Sequence, residues 1–458
     1  MIFYSKISNE KLLIYTIAII ISALILSGLG GLLNIIYPVA MVVLGIYFIS
    51  NNAIKYITLI YMLWFFSPLI RRLSDYQAGF HDVSLIIVTP HIVTIMSILP
   101  ILFKGVKIKR LEGLAISVIT VSILCGYLVG IFESGIFSAT FSLLDWLCPL
   151  SLMVFIFLKR KTLELDYKAM LKPISLSVVF MGLYGIIQFV NILPWDAYWM
   201  RNADINSIGY PSPYNVRVFS TLNSPGPFAI VITSGILLLS NVSLKKSRKV
   251  IGLVFGGLSL LLSLVRSAWG GWFLGQLVIL LRSNIIKSSK MILTFFIGIL
   301  LIIPFIYTSR LYNSIEMRLS TFGNIQEDKS FNDRREFLNN ILSGENLTAF
   351  GHGLGSTGLS ARLNSSNRNA ILDFDNGFLS IFYTLGIIPG ILYCIGVAIL
   401  LLNLYILSKT ATIISLQAIA ISIISQMIFV NTLIGVSGII FWSSLGFAAI
   451  IAKKSKYE

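Results

Sequence analysis

Charge is what this sequence has least of. Only 12% of its 458 residues are Asp, Glu, Lys or Arg, against 56% hydrophobic, whereas soluble domains carry about 25% charged residues. That scarcity excludes a water-exposed surface over most of the chain. Cysteine is scarcer still. Cys125, Cys148 and Cys394 stand in apolar surroundings without CxxC spacing, an odd count that supports neither a disulfide framework nor a metal centre and reads as core packing. Acids number 19 against 35 Lys and Arg, for a net charge of +16. No tail or face carries a basic stripe interleaved with aromatics, so the excess does not point to nucleic acid.

What fills the chain is apolar blocks of about 18 residues or more, the length that crosses a bilayer as helix. The expected fold is therefore all-α, a polytopic transmembrane helical bundle. Spans read near 12–30, 32–50, 54–70, 84–103, 111–131, 143–158, 173–193, 220–240, 250–265, 267–281, 291–308, 375–404, 411–430 and 435–452, fourteen in all. The first lacks a small-residue cleavage site and reads as a signal anchor. Three regions follow: a bundle over 1–308, one large loop over 309–374, and C-terminal spans over 375–458.

The basic residues sit in short loops such as "KGVKIKR", "KKSRK" and "RSNIIKSSK", which the positive-inside rule assigns to the cytoplasm. Both termini then lie inside, and the 309–374 loop lies outside. Under this threading the 23 inner bases are 19 Lys and 4 Arg, while the 12 outer ones are 11 Arg and Lys329. Topogenesis does not prefer guanidinium. Phosphate recognition does, because the planar donor fork of Arg matches an oxyanion in bidentate fashion. The outer face reads as equipped to hold phosphate groups; salt bridges with the 14 outer acids are the plainer account.

Arg266 shows the pattern most sharply. It is the midpoint of residues 250–281, a nearly uncharged stretch between two basic loops that must therefore cross twice. With "SAWGG" after it, Arg266 is expected at the outer tip of a tight hairpin, near headgroup depth. Snorkelling to lipid phosphate accounts for one such Arg but not for the wider excess. No charge stands clearly at a span centre in this threading, and no internal repeat is evident, which weighs against a transporter.

The large loop holds "NDRREFLNNILSG", a short amphipathic helix by its spacing. Asp333 or Asn332 can cap it, with Glu336 completing a capping box. Arg334 and Arg335 fall in its first turn, where acids would suit the helix dipole better. Either an anion docks there or the pair is matched by Glu316, Glu327 or Glu336. "GHGLGSTG" contains GxGxxG, but without a βαβ unit it is no dinucleotide site. Its glycines offer permissive backbone and exposed N–H groups, a candidate anion nest. His352 within it reads as a hydrogen-bonded loop residue. His91, after a proline inside a span, reads as buried and bridged, with a proton relay the alternative.

"RVFSTLNSPGPFA" puts Arg217 at the outer edge of a span. Pro225 and Pro227 break its start, and irregular backbone at that depth is tolerated only against protein or water, so a cavity is expected there. Trp195, Tyr198 and Trp199 just before it suit an interfacial belt or stacking on sugar rings. In "DFDNGFLS", Asp375 or Asn376 can cap the next helix. A carboxylate there, Asp373 or Asp375, can also deprotonate a hydroxyl nucleophile.

Arg217 in "RVFSTLNSPGPFA", Arg266 in "VRSAWGG", the "DRREF…GHGLG" loop and the "DNGFLS" re-entry together resemble the O-antigen ligase and Wzy-type polysaccharide polymerase family. The similarity covers roughly the C-terminal 250 residues; before that only the hydropathy matches. The resemblance implies an extracytoplasmic glycosyltransferase of the bacterial plasma membrane. Its architecture would be GT-C-like, and its chemistry would need neither metal, cofactor nor nucleotide sugar. Its donor would be an undecaprenyl-pyrophosphate-linked oligosaccharide in the membrane lipid, with a flippase and a chain-length regulator as partners. Arg217, Arg266 and one of Arg334 or Arg335 match the family's pyrophosphate-binding arginines. Where the ligases usually carry a His at the re-entry, Asp375 stands here, which favours a polymerase. Asp375 is the expected base, with Glu336 and Asp373 as rivals. A ligase acting on a lipid or protein acceptor, or a flippase of lipid-linked glycan, are the alternatives.

Overall fold

A computed structural model describes residues 9–81, 84–104, 110–165, 167–203, 206–241, 246–283, 347–363, 374, 376–407 and 410–454. The helices are α1 (Asn9–Leu26), α2 (Leu33–Asn51), α3 (Ala53–Ala78), α4 (Leu85–Ile95), α5 (Ile98–Lys104), α6 (Arg110–Glu133), α7 (Ile136–Leu158), α8 (Arg160–Leu165), α9 (Tyr167–Val190), α10 (Pro194–Asn202), α11 (Pro225–Asn241), α12 (Lys246–Leu262), α13 (Arg266–Arg282), α14 (Gly377–Leu385), α15 (Ile387–Ile406), α16 (Ala411–Ser425) and α17 (Gly435–Lys454). Among the described residues there is no β-strand, only one isolated bridge between Gly209 and Val216.

Nine helical segments among the described residues are long and apolar enough to cross a membrane. The protein is a multi-pass helical membrane protein. Every expected span except 291–308, which lies outside the described residues, is occupied by helix. Several differ in extent: α4 and α5 divide 84–103, and α7 begins at Ile136, before the expected 143. The 375–404 span is two helices, because Gly386, at φ 91°, ends α14 and starts α15. The 54–70 span is longer than hydropathy indicates, since α3 runs 26 residues to Ala78.

That extension has a clear cause. The buried stripe of α3 passes through Ile57, Ile60, Tyr61, Trp64 and Ser67 and continues through Arg71, Arg72 and Asp75, at the three- to four-residue spacing of one helix face. The face stays buried while its chemistry turns polar. At about 1.5 Å per residue α3 is about 39 Å long, more than the hydrocarbon core of about 30 Å. Its last two turns therefore reach the interfacial zone.

α11 is the central element. It is buried along nearly its whole length and packs against α9, α12, α13, α16 and α17. Small residues bring neighbouring backbones together, as expected where lipid leaves no hydrophobic drive between helices. A Cβ on Gly182 of α9 would stand 2.7 Å from the backbone carbon of Phe255 in α12. A cavity of about 30 Å³ between α3, α9, α11, α16 and α17 is lined by Tyr61, Phe65, Val231, Leu416, Ile440 and Phe447. It has room for a water or two and not for a sugar.

Gly182→Ala is expected to cost about 1–3 kcal/mol by overpacking the α9–α12 crossing. Gly257→Ala, on α12 with open space at its Cβ position, should leave stability unchanged or raise it. Thermal unfolding in detergent compares the two; equal midpoints would contradict the close crossing.

Candidate functional site

The site grows from one buried guanidinium. Arg72 of α3 and Asp196 of α10 are both fully buried, with Arg72 Nη1 2.8 Å from Asp196 Oδ1. Asp196 Oδ2 accepts from Tyr184 Oη at 3.0 Å and from Gln188 Nε2 at 2.8 Å, both on α9. Arg72 Nη2 donates to the carbonyl of Ser220, and its guanidinium lies 4.9 Å over the Phe219 ring. Gln188 is then used twice, since its Oε1 accepts from the Phe219 and Ser220 amides at 3.1 and 2.8 Å. Three helices thus converge on two residues of the chain leading into α11.

Everything around those two residues is tied as well. The Val218 amide donates to Leu262 O, and the Arg217 amide to Ile208 O. Ser220 Oγ donates to Met181 O, and Thr221 Oγ1 to Phe65 O. The cavity expected beside Pro225 and Pro227 is therefore filled by protein: Val218, Phe219, Ser220, Thr221 and Leu222 are all buried. Irregular backbone is tolerated at this depth because other helices satisfy it.

Arg217 projects from this fixed segment onto the turn between α12 and α13. Its Nε donates to Ser263 O at 3.3 Å, Nη2 to Leu264 O at 3.2 Å and Nη1 to Ser207 O at 3.0 Å. The turn it grips ends at Arg266, the half-buried first residue of α13. So the hairpin expected at 250–281 is present, Arg266 is at its tip, and Arg217 is beside it. The structure places the Arg217 guanidinium on the turn that leads into Arg266, where it spends at least three donors as a clamp on backbone carbonyls.

Three non-glycine residues among those described have positive φ: Tyr214 at 66°, Ser220 at 51° and Leu264 at 53°. All belong to this cluster. Each such conformation costs of order 1–3 kcal/mol and persists only where surroundings over-determine it. The polar ties to Ser220 and to the 263–264 turn supply that determination.

The remaining outer arginines separate into two groups. Arg71 is not in a loop: its Nε donates to Asp75 Oδ2 at 3.1 Å, Nη2 bonds His81 O, and it stacks 4.9 Å over Trp199. With Arg72 on Asp196, two of the residues counted toward a phosphate-binding excess are in ion pairs, which corrects that part of the count. The aromatic trio belongs to the same packing. Trp199 is buried under Arg71, Tyr198 Oη accepts from the Phe80 amide, and Trp195 Nε1 donates to Tyr184 Oη. Arg334, Arg335, Glu336, Asp373 and Asp375 lie outside the described residues.

The glycine loop has a structural use in place of the expected nest. The amides of His352 and Gly353 donate to Tyr383 O and Thr384 O, and that of Leu354 to Gly126 O. Gly355, at φ 93°, lets the loop lie against α7, where a Cβ would stand 2.8 Å from the Ser138 carbon. Its donors hold helices, not an anion. Asn376 caps α14 by accepting from the Leu379 amide at 3.0 Å.

Sequence reasoning passed over a second polar centre. His91 of α4 is buried and bridged as expected, but its partner is Asp145, at 2.9 Å from Nε2. Asp145 is the tenth residue of the 23-residue α7, so a charge does stand inside a span. The argument from absent intramembrane charge is withdrawn. The signal was a lone Asp within "FSLLDWLCPL", which placing the span start at 143 had put at the membrane edge.

Asp196→Ala leaves Arg72 buried without its counter-ion and is expected to cost about 3–5 kcal/mol, while the double variant Arg72→Met/Asp196→Leu should lose much less. Thermal unfolding of the purified variants checks this. A double variant as unstable as the single one would contradict the ion-pair account.

No protein-family model matches the chain, and comparison with curated proteins finds no match, so the geometry of these residues carries the functional reading.

Proposed function

We propose that the protein is a polysaccharide polymerase of the bacterial plasma membrane. It transfers a glycan from a polyprenyl pyrophosphate to the hydroxyl of an acceptor sugar on the outer face, and both termini lie in the cytoplasm. The observation that carries this reading is the convergence of Arg217 and Arg266 on one strained turn. The leaving diphosphate gains negative charge as the bond to sugar breaks, and preorganised guanidinium donors stabilise that charge without reorganising. In this scheme Arg266 meets the diphosphate, Arg217 holds the turn that aims it, and Arg334 or Arg335 closes from the large loop. Asp375 or Glu336 takes the acceptor proton. A ligase would use the same donor site with a different acceptor.

A second class is supported by a separate observation. Ionisable pairs inside the helices, Arg72 with Asp196 and His91 with Asp145, and the interrupted passage from α16 through a 3-10 turn at Gln426–Ile428 to α17, are features of transporters. A flippase of lipid-linked glycan is the reading they favour.

Purified protein in liposomes, supplied with lipid-linked repeat units, separates the two. The polymerase reading expects elongated glycan and free polyprenyl pyrophosphate. It further expects Arg266→Ala to lower turnover by about 10²–10³, the loss typical of removing one charge-stabilising donor. Arg217→Lys should lower it less, with some loss of thermal stability. Transbilayer movement of the donor without elongation would instead establish the flippase.

A further inference from the structure

Four carboxylates on the described helices are ion-paired, and they are not equivalent; Glu10 of α1, 26% exposed, pairs with Lys55 at the start of α3. Asp196 has no exposure and receives Arg72, Tyr184 and Gln188. The Asp75 side chain is 1% exposed against Arg71. The Asp145 side chain is 28% exposed, and its one bond is to His91, itself 5% exposed. Asp145 keeps one oxygen, Oδ2, available.

The open side is not lipid. A carboxylate facing hydrocarbon at the tenth residue of a span would carry a cost of several kcal/mol, so the exposure belongs to an opening within the protein. Its neighbours say where. Gly435, which begins α17 at φ 56°, has its Cβ direction 3.6 Å from Asp145 Oδ1. The segment before it, from Gln426 to Ile434, is the break between α16 and α17. The same segment meets α14 at Val430, against Gly377, and meets α13 at Gln426, whose Nε2 would stand 2.8 Å from a Cβ on Gly271. Asp145 and the helix headed by Arg266 therefore flank one segment, a 3-10 turn and the residues after it, between α16 and α17.

The chemistry of the ligand follows from the partner. His91 Nε2 faces a carboxylate, and Nδ1 lies 3.2 Å from the carbonyl of Ile87. The ring is held in place between Trp64 and Phe141, at centroid distances of 4.6 and 5.4 Å. Among the described residues no third His, Cys, Asp or Glu joins the pair as a metal site would require. What an open carboxylate oxygen accepts is a hydrogen-bond donor, such as a hydroxyl.

We propose that Asp145, in place of Asp375 or Glu336, binds the attacking hydroxyl of the acceptor sugar and is the catalytic base, with His91 as its positioning residue. This rests on the polymerase reading above. The acceptor O–H proton passes to Asp145 Oδ2 as the acceptor hydroxyl oxygen bonds the anomeric carbon of the donor. The carbon–oxygen bond to pyrophosphate breaks, its electron pair leaves on the polyprenyl diphosphate, and Asp145 then gives its proton to water. His91 keeps Oδ1 occupied so that Oδ2 is the oxygen presented.

The test is turnover of full-length protein in liposomes with lipid-linked repeat units. Asp145→Asn, which keeps the shape and can still accept from His91, should lower kcat by about 10²–10⁴, the range for losing a general base. Its KM for the donor should stay within about twofold. His91→Gln should lower kcat by about tenfold, again with KM unchanged. Asp145→Glu keeps the charge, so it guards against a folding defect in Asp145→Asn; it is expected to unfold at the wild-type temperature and to lose about tenfold in kcat. Active wild type with wild-type kcat in Asp145→Asn, or in both other variants if that one does not fold, overturns this inference and leaves the polymerase reading standing. Wild type that consumes no lipid-linked donor overturns both.

Discussion

A guanidinium with no exposure is tolerable only where its charge is matched and its donors are placed. Removing two ions from water costs several kcal/mol each, and mutual attraction repays that only with good geometry and further hydrogen bonds. Arg72 and Asp196 match each other in charge, and Tyr184, Gln188 and the Ser220 carbonyl satisfy part of their hydrogen-bonding capacity. Arg72 Nε is buried without a hydrogen-bond partner among the described residues. The arrangement is expensive, and an apolar pair would pack α3 against α10 at less cost. What an apolar pair would not do is hold Phe219 and Ser220 in a defined, partly left-handed path. The pair and the bonds to Gln188 and Met181 fix Phe219 and Ser220, while bonds to Ile208, Leu262 and Phe65 fix the residues around them. Through Arg217 the constraint reaches the 263–264 turn and the start of α13 at Arg266.

How much of this was legible in the sequence divides along a physical line. Helix positions were, because a bilayer demands long apolar segments and hydropathy reads them directly. The α12–α13 hairpin with Arg266 at its tip followed from counting residues between two basic loops. The end of α3 did not, because hydropathy falls at Arg71 while the buried helical stripe runs on to Asp75. Pairing was also beyond reach. Arg72 and Asp196 are 124 positions apart in a sequence of scattered charges, and nothing local marks them as partners. Arginine identity was read as phosphate chemistry; for Arg71 and Arg72 the forked donor serves buried carboxylates and a carbonyl instead, which uses the same property of the side chain.

Glycines were misread in a related way. "GHGLGSTG" suggests donors for an anion, yet in the fold its amides bond carbonyls of α6 and of the α14–α15 junction. Permissive backbone here serves close approach between a loop and helices. The two polar centres differ by the same logic of satisfaction. The Arg72 centre is closed and sets a path for the backbone, whereas the His91 centre leaves one carboxylate oxygen available. Closed pairs suit architecture and open ones suit ligands.

The most direct measurement of the central claim is a cryo-electron microscopy structure of the protein with a polyprenyl-diphosphate-linked sugar bound. The account predicts diphosphate density at the 263–266 turn, contacting Arg266, with Arg217 still on the Ser263 and Leu264 carbonyls and Arg72 still on Asp196. A diphosphate bound elsewhere in the bundle, with that turn and its arginines uninvolved, would contradict it.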